Sequence, residues 1–443
     1  MRLNIVHISA RHSDRWTEAR PGRKLRPTIE GASTVTATDN KTVDVAIVGA
    51  GPVGTSLALA LTRFCSGLRV ALIDRRPLAP PPDLRSSAIA AGPRRILDAL
   101  GIWDRVAGDA EPVMALRLTD SGEKDIFRPA FLDFSGELAP GEPFAHLVPN
   151  TRLAEALIGG LGDGVDILAP ATITGMARDA GAARLTLADG TTVKADLIVA
   201  ADGARSALRG MAGIGVRAHD YGQSGLVGTF AHSLPHHGVA WQHFRPAGPM
   251  ASLPLPGNRS SLVWAESAAR AAELLTLKPG EIAAEIEAAM GSVLGTISLE
   301  SGIAAHPLRL QLAHAITAPR FALVGDAAHV IHPIAGQGLN LGLKDVAALA
   351  ETVIEAVRLG LDAGDPGALA RYARWRRIDV ATMAAVTDGL NRLFSNDIAP
   401  LRAMRDLGLS LVDRAGPVKD ALIRSAAAAS SGSGPRLLLG QPI

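Results

Sequence analysis

With 443 residues, 47% hydrophobic and 20% charged, the chain has the composition of a folded globular protein and the length of two or three ordinary domains, so two interleaved domains are expected. Its 45 basic and 43 acidic residues leave a formal net charge of +2, which offers no electrostatic footprint for nucleic acid. No apolar run approaches the ~20 residues that span a bilayer, and the single cysteine, Cys65, excludes an intrachain disulfide, a CxxC redox pair and a cysteine-based zinc cluster.

Those totals leave a cytoplasmic protein, with peripheral membrane contact open and no metal site expected. Residues 1–40 are polar and Arg-rich without hydrophobic periodicity, and they read as a disordered leader: they lack the apolar core of a secretory signal and carry acidic residues that transit peptides avoid. From Val43 the pattern becomes strand, glycine turn, helix, strand: VDVAIV, GAGPVG, an apolar stretch from Thr55 to Phe64, then RVALID. That order is a βαβ unit, which implies a parallel sheet covered by helices.

The glycine turn is Gly49-Ala-Gly51-Pro-Val-Gly54. Gly49 permits the tight turn, Gly51 lets a pyrophosphate approach the backbone, and Gly54 lets helix and strand pack closely. Asp74 ends the next strand, where a carboxylate accepts hydrogen bonds from a ribose hydroxyl and repels a 2′-phosphate, although Arg75 and Arg76 follow it. Helical spacing returns at Arg94–Leu100 and Arg152–Leu161, whereas Ala115–Phe144 and Gly225–Val263 alternate like strands and are assigned to a second, inserted sheet domain. A second motif, ADLIVAAD with Gly203 after Asp202, is an apolar strand running into Asp-Gly, which alone is ordinary turn chemistry. The third runs from Arg320 to Gly342: a strand ending in Gly325-Asp326, a loop with His329, His332 and Pro333, then Gly336, Gln337 and Gly338 opening a long apolar-periodic helix. Bare backbone there admits a flat ring, Asp326 suits sugar-alcohol hydroxyls, and a helix N-terminus stabilises negative charge. The remainder is mostly helical to about Leu411 and ends in a low-complexity tail containing AAAASSGSG.

Together the three motifs, in this order, resemble the GxGxxG, DG and GD fingerprints of the group A flavin hydroxylases. Within that family the chain is most similar to the ubiquinone-biosynthesis hydroxylases, through AHVIHPIAGQGLNLGLKDVAAL, FRPAGPMASLPLPGNRSSLVW at Phe244–Trp264 and TDGLNRLFSN at Thr387–Asn396. The resemblance spans roughly Val43–Asp413. It implies an α/β, para-hydroxybenzoate-hydroxylase-like fold: a Rossmann-type FAD-binding domain in segments 41–114, 146–215 and 306–390, a sheet-containing substrate domain in 115–145 and 216–305, and C-terminal helices and tail in 391–443.

The implied cofactor is FAD, with electrons from NAD(P)H or a separate redox partner, since no second nucleotide fingerprint is present. The implied substrates are molecular oxygen and a polyprenylated phenol, and the implied setting is a ubiquinone-biosynthesis complex. Residue by residue, Gly49, Gly51, Gly54 and Asp74 would hold the ADP moiety, with Arg85 and Arg152 beside the cofactor. Asp202 with Gly203 would reach toward the pyrophosphate and Asp326 with Gly325 toward the ribitol. Pro333, Gly336, Gln337 and Gly338 would line the flavin ring, and Pro333 and His332 are the candidates for catalysis. A disulfide reductase is excluded by the cysteine count, and an NAD-dependent dehydrogenase would leave the third motif idle. A flavin-dependent isoprenoid reductase of this fold and a non-catalytic flavoprotein subunit of a quinone assembly remain as alternatives.

Overall fold

The computed structural model describes residues 40–120, 130–135, 137–139, 141–395 and 434–443. The expected leader, save Asn40, and most of the expected C-terminal segment with its low-complexity tail lie outside them. The described residues pack as one compact unit built on two large sheets.

The first sheet has a parallel centre, in the spatial order Val165–Leu168, Val70–Ile73, Asn40–Val48, Thr192–Ala200 and Phe321–Leu323, extended by the antiparallel strands Ala183–Leu187 and Ile173–Arg178. Val45–Val48, Val70–Ile73 and Leu197–Ala200 are buried without alternation, because both faces are covered. One face packs on the helices Pro52–Phe64 and Gln337–Arg358 through Leu57, Leu61, Val346, Leu349 and Val353. The other gathers Ile73, Leu185, Ile198, Phe321 and Leu323.

The second sheet has nine strands. Its order is His329–Val330, Ala304–Ala313, Val216–His232, Arg259–Ser267, Met250–Leu255, Val239–Phe244, Ala115–Asp120 and Ala130–Ser135, with Ile297–Leu299 beside Val216–His232. Here the side chains alternate between two faces as period-2 strands require. Leu226, Phe230, Met250, Leu262 and Trp264 face Ala271, Leu274, Ile282 and Ile286 of the helices Ala268–Leu274 and Pro279–Met290. The intervening residues Gly225, Val227, Ala251, Leu253, Ser261, Val263 and Ala265 line a cavity on the opposite face.

The chain leaves this sheet later than the boundary at 306 anticipates, because Ala304–Ala313 pairs along Val216–Val227 before the return at Phe321. A small third sheet joins Ser86–Ala90, Ala145–Pro149 and Glu111–Val113, and brings Arg85 and Asn150 together.

Candidate functional site

The first glycine motif turns between Asn40–Val48 and the helix that starts at Pro52. Gly49 has φ +111°, and a Cβ there would lie 2.2 Å from the Ala201 carbonyl oxygen. A Cβ at Gly54 would lie 1.9 Å from the Gly49 oxygen, whereas one at Gly51 would meet nothing within 4 Å. Two of the three glycines are therefore demanded by protein packing, and Gly51 faces open space at a helix N-terminus, where an anion sits well. Asp74 latches this loop: one carboxylate oxygen accepts from the Ala50 N–H and the other from the Arg76 N–H, both at 2.8 Å. Its remaining lone pairs suit ribose hydroxyls.

Asp202 leaves Ala201, whose N–H bonds the Val48 oxygen at 2.7 Å. Its Oδ2 accepts from the Leu208 N–H at 3.3 Å, while Oδ1 is buried with no partner. A buried carboxylate oxygen left bare is costly, and this one lies on the segment that contacts Gly49. Gly203 takes φ +82°, and a Cβ there would meet open space. Arg209 ties this motif to the third, its guanidinium donating to the Ala327 and Ala204 carbonyls at 2.8 and 3.0 Å.

In the third motif Gly325 takes φ +59°, and a Cβ there would sit 3.2 Å from Val53. Asp326 is open to solvent yet walled by protein. Loss of solvation raises its pKa, against the opposing pull of His329, Arg85 and Arg309. Gly336, at φ +63°, caps the helix Gln337–Arg358 and would place a Cβ 3.1 Å from Ala88. Gln337 is buried and a Cβ at Gly338 would meet nothing within 4 Å. Asn340 staples the helix start to Ser86–Ala90, donating to the Ala88 oxygen at 2.7 Å and accepting from the Ala90 N–H at 3.0 Å.

Behind the loop lies a buried ionic network. The carboxylate of Asp345 accepts from the Gly325 N–H and His329 Nε2, both at 2.8 Å, and from Arg376 Nε at 2.6 Å. Burial alone would raise the Asp345 pKa, but His329 and Arg376 outweigh it and hold the carboxyl below its usual range. His329 is thereby a loop anchor.

Arg85 and Arg152 part company. Arg85 lines the cavity and pairs with Asp83 at 2.7 Å, and Asn150 Nδ2 donates to the same carboxylate at 3.0 Å. That pairing raises the Arg85 pKa. Arg152, expected beside the cofactor, instead turns outward, half exposed, to Asp109 at 2.9 Å and Glu155 at 2.5 Å. Two helical positions rotate a side chain by about 200°, so Asn150 faces the Asp83–Arg85 pair while Arg152 faces away from it.

The cavity, about 230 Å³, lies between the second sheet and the third motif, with Pro333, Ile334 and Gly336 at one end. Its walls are mainly apolar, with polar groups from Gln242, Ser261, His306, Arg309 and His332. His332 is fully buried, and neither ring nitrogen has a hydrogen-bond partner. Burial pushes its pKa down to about 4, with Asp388 pulling weakly upward, so the imidazole is neutral at physiological pH. The Ser261 hydroxyl is likewise bare.

The open Gly51, the bare Asp202 oxygen, the accessible Asp326 and the exposed backbone around Gly336 and Gly338 fit a dinucleotide-like flavin cofactor. Among the described residues no cluster of metal-ligating side chains occurs and no helix is long and apolar enough to cross a membrane.

Comparison with known proteins agrees with this geometry. The family described as "FAD binding domain" matches residues 42–386. The chain is 44% identical to a protein named ubiquinone hydroxylase UbiL of Rhodospirillum rubrum, over 92% of this chain and 95% of that one. It is 37% identical to the 3-demethoxyubiquinol 3-hydroxylase of Escherichia coli, over 86% and 97%. Among solved structures, p-nitrophenol 4-monooxygenase PnpA of Pseudomonas putida superposes with a TM-score of 0.72 at 19% identity, over 87% of this chain and 99% of that one. PqsL of Pseudomonas aeruginosa gives 0.69 at 24%, over 83% and 99%. At those identities the two likenesses speak for the fold alone. The family match over most of the chain and the two close relatives identify the protein as a member of the FAD-binding hydroxylase family of ubiquinone biosynthesis.

Proposed function

We propose that the chain is an FAD-dependent monooxygenase that hydroxylates the aromatic ring of a polyprenylated phenol in ubiquinone biosynthesis. The observation that carries this reading is the apolar cavity that abuts Pro333 and Gly336 and contains a fully buried imidazole with both nitrogens bare. Such a wall suits an aromatic ring with one hydroxyl, because an unpaired buried polar group costs about 1–3 kcal/mol until a ligand satisfies it.

Gly49, Gly51, Gly54 and Asp74 would hold the ADP half of FAD, Asp202 and Asp326 its pyrophosphate and ribitol, and Gly336, Gln337 and Gly338 the ring system. Arg85 and Asn150 would flank it. When bound, FAD supplies the oxygen-activating redox chemistry, with electrons from NAD(P)H or a redox partner. The chain's own part is to bind, orient and exclude water. Val227, Ala251, Leu253 and Val263 would dehydrate the ring, Pro333 and Gly336 would bound it at the end of the cavity beside the third motif, and neutral His332 would accept the phenolic hydrogen bond. That bond draws the proton away as electron density moves to the ring carbon ortho or para to the hydroxyl.

A polyprenyl tail partitions into lipid at about 0.8 kcal/mol per buried methylene. This supports work at a membrane surface and within an assembly of quinone-biosynthesis enzymes. Incubation of the FAD-loaded enzyme with reductant, a prenylphenol and isotopically labelled oxygen should place one labelled atom on the ring. Consumption of substrate without oxygen, giving a product two hydrogens heavier, would replace this reading with that of an isoprenoid reductase.

A further inference from the structure

The segment Thr387–Phe394 has no part in the function so far described; it ends the helix Pro366–Phe394 and packs against the strands Val216–His232 and Val239–Phe244. Asp388, Asn391 and Phe394 lie three residues apart on one face of the helix Pro366–Phe394. Tyr221 donates its hydroxyl to Asp388 Oδ1 at 3.0 Å, Asn391 Nδ2 donates to Gln223 Oε1 at 3.2 Å, and the Phe394 ring stacks 4.0 Å from Phe244. The strand Val216–His232 shifts register between Asp220 and Gln223, with Gly222 at φ +66°. Tyr221 therefore sits in a bulge, where a side chain is re-aimed. Its ring meets His332 edge-on, with centroids 5.1 Å apart and planes at 77°. Arg392 Nε donates to the same Asp388 Oδ1 at 3.1 Å and lies 3.0 Å from Oδ2.

We propose that Asp388, acting through Tyr221, is the positioning group that keeps the His332 imidazole against the cavity and supports the positive charge it takes up from the substrate hydroxyl. The proposal rests on the reading of His332 as the contact of the phenol. In the step concerned the phenolic O–H bond breaks and a His332 N–H bond forms, with the electron pair left on the ring oxygen; no redox agent enters. Tyr221 keeps its own proton, since burial and the adjacent Asp388 carboxylate raise its pKa. The groups facing this corner are Tyr221 and His219 from Val216–His232, Asp388 with Arg392 from Pro366–Phe394, His306 and Arg309 from Ala304–Ala313, and Arg85. Of these, Asp388 is the one whose charge reaches the His332 ring.

Asp388→Asn keeps an acceptor for the Tyr221 hydroxyl and removes the charge. In FAD-loaded protein with labelled histidines, the His332 resonances being assigned with His332→Gln, the wild type should be about half protonated near pH 4. The variant should be less protonated there, its midpoint shifted to lower pH. At neutral pH its kcat should fall roughly tenfold or more with KM within about threefold, because the charge matters only once the proton moves. Equal protonation in the two proteins, or a loss carried wholly in KM, overturns the proposal. Tyr221→Phe, which keeps the ring against His332 and removes the hydroxyl, supplies the same two readouts if Asp388→Asn does not retain FAD. Absence of hydroxylation in the wild type would overturn the functional reading, and the titration would still judge the role of Asp388.

Discussion

Single residues divide into those that the fold needs and those that the ligand needs. Gly54 belongs to the first group, since a Cβ would overlap the Gly49 oxygen; Gly51 is not held by packing, since nothing of the protein lies within 4 Å, and is proposed for the second. Gly51→Val should therefore leave the apoprotein's melting temperature nearly unchanged and abolish FAD retention, while Gly54→Val lowers the melting temperature itself. Equal flavin content in Gly51→Val and wild type would remove the first motif from the site. Asp326, which lies open in the cleft, has charge-assisted hydrogen bonds worth about 1.5–3 kcal/mol to offer a sugar alcohol. Asp326→Ala should weaken FAD binding by roughly tenfold to a hundredfold, and fluorescence titration of the apoprotein with FAD reads this directly.

At the scale of elements, two helices carry the site. Gln337–Arg358 presents its N-terminus beside Gly336, and its interior residue Asp345 reaches back to the Gly325 N–H, His329 and Arg376. Pro366–Phe394 supplies Arg376 and, nine residues before Asp388, Asp379, which accepts from Lys344 Nζ at 3.1 Å and from Arg376. Breaking a buried pair by deleting one partner costs about 3–5 kcal/mol, because the other charge is left bare. Asp345→Leu should thus lower the melting temperature by roughly 10 °C and lower FAD affinity as well, since Gly325 loses its anchor. A variant with wild-type stability would show that this network is dispensable.

The whole molecule couples pH to stability through the same cavity. In the unfolded chain a histidine titrates near 6.5, and His332 in the fold titrates near 4. The unfolded state therefore binds the extra proton between those values, so the contribution of neutral His332 is complete above about pH 6.5 and is lost as pH falls toward 4. The span corresponds to about 3 kcal/mol at most. His146, also pushed down to about 4 by burial, adds in the same direction. Melting curves from pH 7 to pH 4 should fall less steeply for His332→Gln than for wild type, and identical slopes would show that this imidazole carries no such term.

How much was legible in advance follows from how far apart the interacting residues are along the chain. The glycine turns, the parallel βαβ unit, Asp74, the Asp-Gly and Gly-Asp strand ends and the helix opening at Gln337 depend on local sterics and short spacings, and a linear sequence displays both. The flavin fold and its family were accordingly readable from the residues alone. The side chains that pair around these motifs are not neighbours in sequence: Tyr221 and Asp388 are separated by 167 positions, Asn150 and Asp83 by 67, and Gly325 and Asp345 by 20. Helix phase turned Asn150 toward Asp83 and Arg152 toward Asp109, and a bulge brought Tyr221 against His332. The face of the second sheet that lines the cavity became known only when Leu226, Phe230 and Trp264 turned to the covering helices. Sequence by itself determined which chemistry this protein can house, because cofactor loops are encoded by backbone permissiveness at fixed spacing. Tertiary structure decided which side chains line the cavity and which are paired behind it, because burial and electrostatic pairing exist only once distant strands and helices are packed.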